Sequence, residues 1–220
     1  MFSANKILSV LVILTGFALA PAANAAIVLN DSESNGTGPF GNITLTQVDS
    51  NTVHVNLVMN ASPQYQLVQT GSHDTFGFNL FNSTVVNPNI SITGLTGGFY
   101  VHSGFSNGFS GSFVYSVGCV GPTATKPPDA CDNGGSNPAP GPLDFDVNIS
   151  VGNLLVTDFT ANANGYTFAA DVIGPKVGGG TFTGLVESKG TGSNTPEPLS
   201  SVLVGTGLVG LFFLGRRIRG

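Results

Sequence analysis

Apolar and polar residues alternate along several stretches of the chain. Val53, Val55, Leu57 and Met59 are interleaved with Thr52, His54, Asn56 and Val58, and Phe76, Phe78 and Leu80 with Gly77 and Asn79. Phe113, Tyr115 and Val117 are interleaved with Ser112, Val114 and Ser116, and Phe145, Val147, Ile149 and Val151 with Asp144, Asp146, Asn148 and Ser150. Successive side chains on a strand point to opposite faces, so each set predicts one buried stripe. Weaker alternation predicts further strands at 43–48, 65–70, 90–93, 154–160, 166–173 and 181–186. Short strands in this number, with no sustained helical stripe between them, predict an all-β body: an antiparallel β-sandwich or a jelly-roll-like fold.

The punctuation between these runs agrees. Asp49-Ser50-Asn51 reads as a tight hairpin, and residues 94–98, 162–165 and 178–180 as further turns. The three consecutive glycines at 178–180 lack the GxxxxGK[ST] pattern of a phosphate loop. Residues 122–142 are the longest breaker-rich segment and read as one large surface loop inserted between strands.

Two apolar runs lie outside this pattern. At the start, Lys6 precedes an apolar stretch over 7–20, Pro21 ends it, and Ala23-Asn24-Ala25 supplies small residues at the positions a signal peptidase reads. Residues 1–25 are therefore predicted to be a secretory signal peptide, cleaved between Ala25 and Ala26; the stretch is short for a retained membrane anchor. At the other end, 199–214 is 16 residues without a charge, preceded by Pro196-Glu197-Pro198 and followed by Arg216, Arg217 and Arg219. As a helix it would span about 24 Å, marginal for a bilayer core near 30 Å, with the arginine stems able to extend it. The basic end should stay cytoplasmic, placing the body outside. A buried core helix fits poorly, because such helices seldom end in three arginines.

Pro-Glu-Pro, a short apolar helix with Gly205, Gly207 and Gly210, and an arginine-rich end, in that order, resemble the PEP-CTERM sorting signal of Gram-negative bacterial envelope proteins. The resemblance covers about 26 residues. It implies recognition by an exosortase, a membrane-embedded cysteine protease or transpeptidase, and transfer of the body to the outer surface or an exopolysaccharide matrix. The protein would then be that enzyme's substrate: exported across the inner membrane, held transiently by its C-terminal helix, and released. The physical logic is sound, since two prolines keep the peptide extended for a protease and 190–195, rich in Gly, Ser and Thr, reads as a flexible spacer. The chain thus divides into a signal peptide (1–25), a β-rich extracellular domain (26–189), a spacer (190–195) and a sorting signal (196–220).

Composition narrows the function of the body. Between 26 and 195 there are three lysines against nine aspartates and two glutamates, a net charge of -8. That surface would repel nucleic-acid backbones and acidic glycans, so no nucleic-acid partner is expected. The two cysteines, Cys119 and Cys131, are predicted to form a disulfide in an oxidising compartment, the alternative being a metal or redox pair, for which the spacing is wrong.

Catalytic chemistry is not signalled. His54, His73 and His102 are scattered without HExxH spacing, and no GxSxG is present. His73-Asp74 could supply a base and its orienter, so an exported hydrolase with a split site is a third class of function. Asp144 and Asp146 fall on one side of a strand, and Asp129 and Asp132 sit beside the cysteine pair. Each pair could coordinate Ca²⁺ with help from loop carbonyls, or simply form a solvated face. Phe99, Phe105, Phe109 and Phe113 recur amid Gly and Ser, either packed inward or presented for sugar stacking. The expectation is a non-enzymatic structural or adhesive envelope protein without a cofactor, its partners being signal peptidase, an exosortase-type transpeptidase and exopolysaccharide. A carbohydrate-binding module, in one form calcium-dependent, is the alternative.

Overall fold

The computed structural model describes residues 24–189 apart from 33–35, 37, 63, 72, 108–110, 122–128 and 132–135. The described chain contains twelve strands: β1 (Asn24–Leu29), β2 (Asp31–Ser32), β3 (Gly41–Gln47), β4 (Thr52–Met59), β5 (Gln66–Leu67) and β6 (Phe76–Phe78). After these come β7 (Ile90–Thr93), β8 (Tyr100–Asn107), β9 (Gly111–Gly118), β10 (Leu143–Ile149), β11 (Tyr166–Pro175) and β12 (Thr181–Lys189). All pair antiparallel. One sheet has the order β1-β3-β4-β10-β7; the other runs β2-β12-β11-β6-β9-β8, with β5 also on β11. The body is an all-β, sandwich-like fold of two antiparallel sheets.

The alternation read from the sequence sets which face is buried. On β4 and β10 the inward apolar positions, Val53, Val55, Leu57, Met59, Leu143, Phe145, Val147 and Ile149, are buried, Thr52, His54, Asn56, Asp144, Asp146 and Asn148 are half-exposed, and Val58 on the outer face is exposed. Their register places Val55 opposite Phe145 and Val53 opposite Val147, so equivalent side chains meet on one face. From the other sheet, Phe76, Phe78 and Phe168 join this main core, while Phe113, Tyr166, Ala169 and Leu185 form a second, smaller cluster. Phe145 lies 5.9 Å from Phe78 and 6.0 Å from Phe76, ring centre to ring centre, which makes these phenylalanines the contact between the sheets.

Two expectations need correction. Residues 154–160 do not form a strand: Leu154 is buried, Val156–Asp158 make a 3-10 turn, and the Asp158 carboxylate accepts the Leu155 N–H at 2.8 Å. A local side-chain bond of this kind competes with strand pairing. Of 65–70 only Gln66–Leu67 is a strand, because the Thr70 N–H and hydroxyl are drawn to the buried Asp171 carboxylate on β11. In the full chain β1 also includes Asn24 and Ala25, which pair with Thr46 and Leu45. A chain cut before Ala26 would keep the pairs from Ala26–Thr44 to Leu29–Gly41.

Cys119 and Cys131 form a disulfide, both fully buried in the core. The bridge is tied to its surroundings: the Thr75 hydroxyl accepts the Cys119 N–H at 2.9 Å, and the Gly98 carbonyl accepts the Ala130 N–H at 3.0 Å. Gly98 has φ +83°, and a methyl group there would lie 2.6 Å from the Ala130 nitrogen, so glycine is required for this approach. No helix among the described residues is long and apolar enough to cross a membrane. Most of the signal peptide, the spacer, Pro196-Glu197-Pro198, the 199–214 segment and Arg216, Arg217 and Arg219 lie outside the described residues.

Candidate functional site

The acidic pair on β10 faces outward and is already engaged. His54 on β4 lies directly opposite Asp146. Its Nδ1 is 2.8 Å from Asp146 Oδ1, and its Nε2 is 3.4 Å from Asp144 Oδ1. The Asn56 amide donates to Asp144 at 2.6 Å, and the Asn148 amide donates to the Thr93 hydroxyl at 2.9 Å. This outer face is a hydrogen-bonded lattice of His, Asp, Asn and Thr. The other acidic candidate, Asp129, accepts the Gly121 N–H at 2.9 Å, while Asp132 lies outside the described residues. Among the described residues no group of three His, Cys, Asp or Glu side chains is arranged to hold a metal ion.

Asp74 does orient a histidine, but across the sheet rather than beside it in sequence. Its Oδ1 lies 2.7 Å from Nδ1 of His102 on β8. Ser116 on β9 is the cross-strand partner of His102. Among the described residues the buried Ser116 hydroxyl and His102 Nε2 have no hydrogen-bond partner, so the serine is not bonded to the base. A nucleophile for acyl transfer must both meet its base and reach substrate. Ser116 is 0% exposed.

The open concave surface lies at one end of the sandwich. A groove of about 1040 Å³ runs between the loop after β6, the start of β9 and the turn at 161–164. Asn82, Ser83, Thr84, Ser112 and Asn164 supply its polar groups, and Val86 and Ala163 its exposed apolar ones. A second depression of about 480 Å³, beside Phe81, Val85 and Asn153, shares Ser83 and Val86 with the first. The two are thus contiguous, and among the described residues no charged one lines either. Phe81 is 36% exposed, Val85 70% and Val86 50%, so the rim between them is apolar.

The loop is held firmly. The Phe81 N–H donates to the Asp158 carbonyl at 2.8 Å, the Asn82 N–H to the Thr160 hydroxyl at 2.9 Å, and Leu80 bridges Phe159. Farther along, the Asn87 N–H donates to the Tyr115 hydroxyl at 2.9 Å. Burial raises the Tyr115 phenol above its ordinary pKa, opposed by that N–H. A raised phenol pKa means the unfolded chain deprotonates first, so this contribution is complete below about pH 10 and is lost as pH climbs through the folded value. Tyr115→Phe should cost about 1 kcal/mol at pH 8, the net worth of one hydrogen bond. The gap to wild type should shrink at pH 11. Urea titrations at both values measure this, and a gap that widens with pH would contradict it.

The groove was not among the sites expected from sequence, because its walls come from three segments far apart in the chain. Phe99 and Phe113 are buried, which settles those two for inward packing. The side chain of Phe105, and Phe109 altogether, lie outside the described residues. Compared with known proteins, the chain matches no family model, no curated protein and no solved structure.

Proposed function

We propose that this chain is an exported, non-enzymatic structural or adhesive protein of the cell envelope or extracellular matrix. A signal peptide ending at Ala25 takes it across the inner membrane, and the 199–214 helix retains it there until an exosortase-type transpeptidase acts at Pro196-Glu197-Pro198. The three parts of the signal at 196–220, met in that order in the sequence, support the route. The observation that carries the adhesive role is the uncharged, partly apolar groove at one end of the sandwich, a surface suited to contact with neutral matrix material. The same observation favours a second reading, a carbohydrate-binding module in the same location. The calcium-dependent form of it has less support, since His54 and Asn56 occupy the carboxylates of Asp144 and Asp146.

The test is intact-mass analysis of membrane and extracellular fractions for the wild type and for a variant with Pro196, Glu197 and Pro198 replaced by Ala. Wild type should appear outside the cell, beginning at Ala26 and ending near Pro196. The variant should be exported but remain in the membrane with 199–220 attached. Normal processing and release of the variant would overturn the sorting role of the motif.

A further inference from the structure

We infer that the groove across the loop after β6 is a binding cleft for a neutral oligosaccharide, with Phe81 as its stacking platform and Asn82 as its hydrogen-bonding group. The inference deepens the carbohydrate-binding reading above and names its ligand class. Three observations converge on it. First, the two contiguous depressions hold amides, hydroxyls and apolar side chains but no charge. A neutral polyhydroxylated chain presents matching groups: hydroxyls for the amides and C–H faces for the apolar wall. An anionic glycan would meet no cation in the cleft and a body of net charge -8 around it.

Second, three of the side chains that would meet a ligand, Phe81, Asn82 and Thr84, are exposed. Phe81 is exposed at the rim, where a ring normally packs inward. The side chains of Asn82 and Thr84 are exposed and make no hydrogen bond among the described residues. The rings of the preceding strand β6, Phe76 and Phe78, are wholly buried, whereas Phe81 in the loop after it is exposed.

Third, the backbone is strained where these two side chains are presented. Phe81 has φ +57° and Asn82 φ +53°, consecutive residues in the left-handed region and the only non-glycine residues there among those described. Asparagine tolerates that conformation; a bulky phenylalanine seldom does. Such strain persists only when its surroundings impose it, and it gathers at ligand sites. Here the bonds to Asp158 and Thr160 and the Leu80–Phe159 bridge impose it. A glycine at either position would fold with less strain, so the side chains are kept at a cost to the backbone.

That conflict supplies the experiment. The full-length chain, held in a zwitterionic detergent free of sugar, is titrated calorimetrically with β-1,4-, β-1,3- and α-1,4-linked glucohexaose and with the acidic hexagalacturonate. At least one neutral hexasaccharide should bind, and hexagalacturonate should bind at least tenfold more weakly. Phe81→Gly and Asn82→Gly should each weaken the neutral ligand at least tenfold while melting no lower than wild type. Thr84→Tyr, at an exposed position, fills the cleft without touching the strained pair and should abolish binding. No binding by any neutral hexasaccharide, equal binding of the acidic one, or wild-type affinity in the glycine variants or in Thr84→Tyr would overturn the inference. None of these results bears on processing at Pro196-Glu197-Pro198, which is read on a different segment.

Discussion

Phe78→Ala is expected to destabilise the body by about 3–5 kcal/mol, the range for truncating a fully buried ring. Phe78 is 0% exposed and sits where the sheets meet. Its ring centre lies 5.4 Å from Tyr115, 5.5 Å from Phe159 and 5.9 Å from Phe145. Alanine there empties a volume bounded by rings from both sheets, which cannot close without moving a whole strand. Domains of ordinary stability have about 5–15 kcal/mol in total, so this one change consumes a large part of it. The urea midpoint measures the effect, with Val85→Ala as control, since Val85 is exposed and its loss should fall within about 0.5 kcal/mol. A loss below about 1 kcal/mol for Phe78→Ala would show that the rings do not hold the sheets together.

Removing the disulfide, by Cys119→Ala with Cys131→Ala, should cost about 3 kcal/mol. The cysteines are 12 residues apart, and closing a loop of that size in the unfolded chain accounts for roughly this amount. For a body of this length the melting temperature should fall by about 6–12 °C. Reduction of the wild type should give the same shift. An unchanged melting temperature, with two titratable thiols in the native protein, would refute the bridge. Because the Gly98 carbonyl binds the Ala130 N–H, the variant should also loosen the turn between β7 and β8, visible as faster amide exchange at Ala130.

Much of the β body was legible because alternation maps directly onto a face. β4 and β7 have the bounds expected from sequence, and β10 shows strict alternation of buried and half-exposed positions. The disulfide and the turn at Asp49-Ser50-Asn51, where Val48 and Asp49 N–H groups meet the Thr52 carbonyl, were equally plain. The misses have physical causes. β8 carries Ser103, Gly104 and Ser106, too small and polar to mark a stripe, and is a strand because β9 pairs with it. At 154–160 the apolar residues have the right spacing, but the Asp158 carboxylate turns the chain. The cleft was invisible for a different reason: Asn82, Gly111 and Asn164 come to line one groove through topology alone, and a left-handed φ at Phe81 leaves no compositional mark.

The place of β12 in its sheet has a temporal consequence. It lies inside the sheet, between β11 and β2, so the last strand of the body joins one of the first. Val186 and Glu187 pair with Ser32 and Asp31 across more than 150 residues of chain. A ribosome delivers those partners in order, and until Thr181–Lys189 emerges the larger sheet lacks an interior member. Long-range pairing of this kind is slow to form. The nascent polypeptide therefore stays unfinished until nearly the whole body has been synthesised.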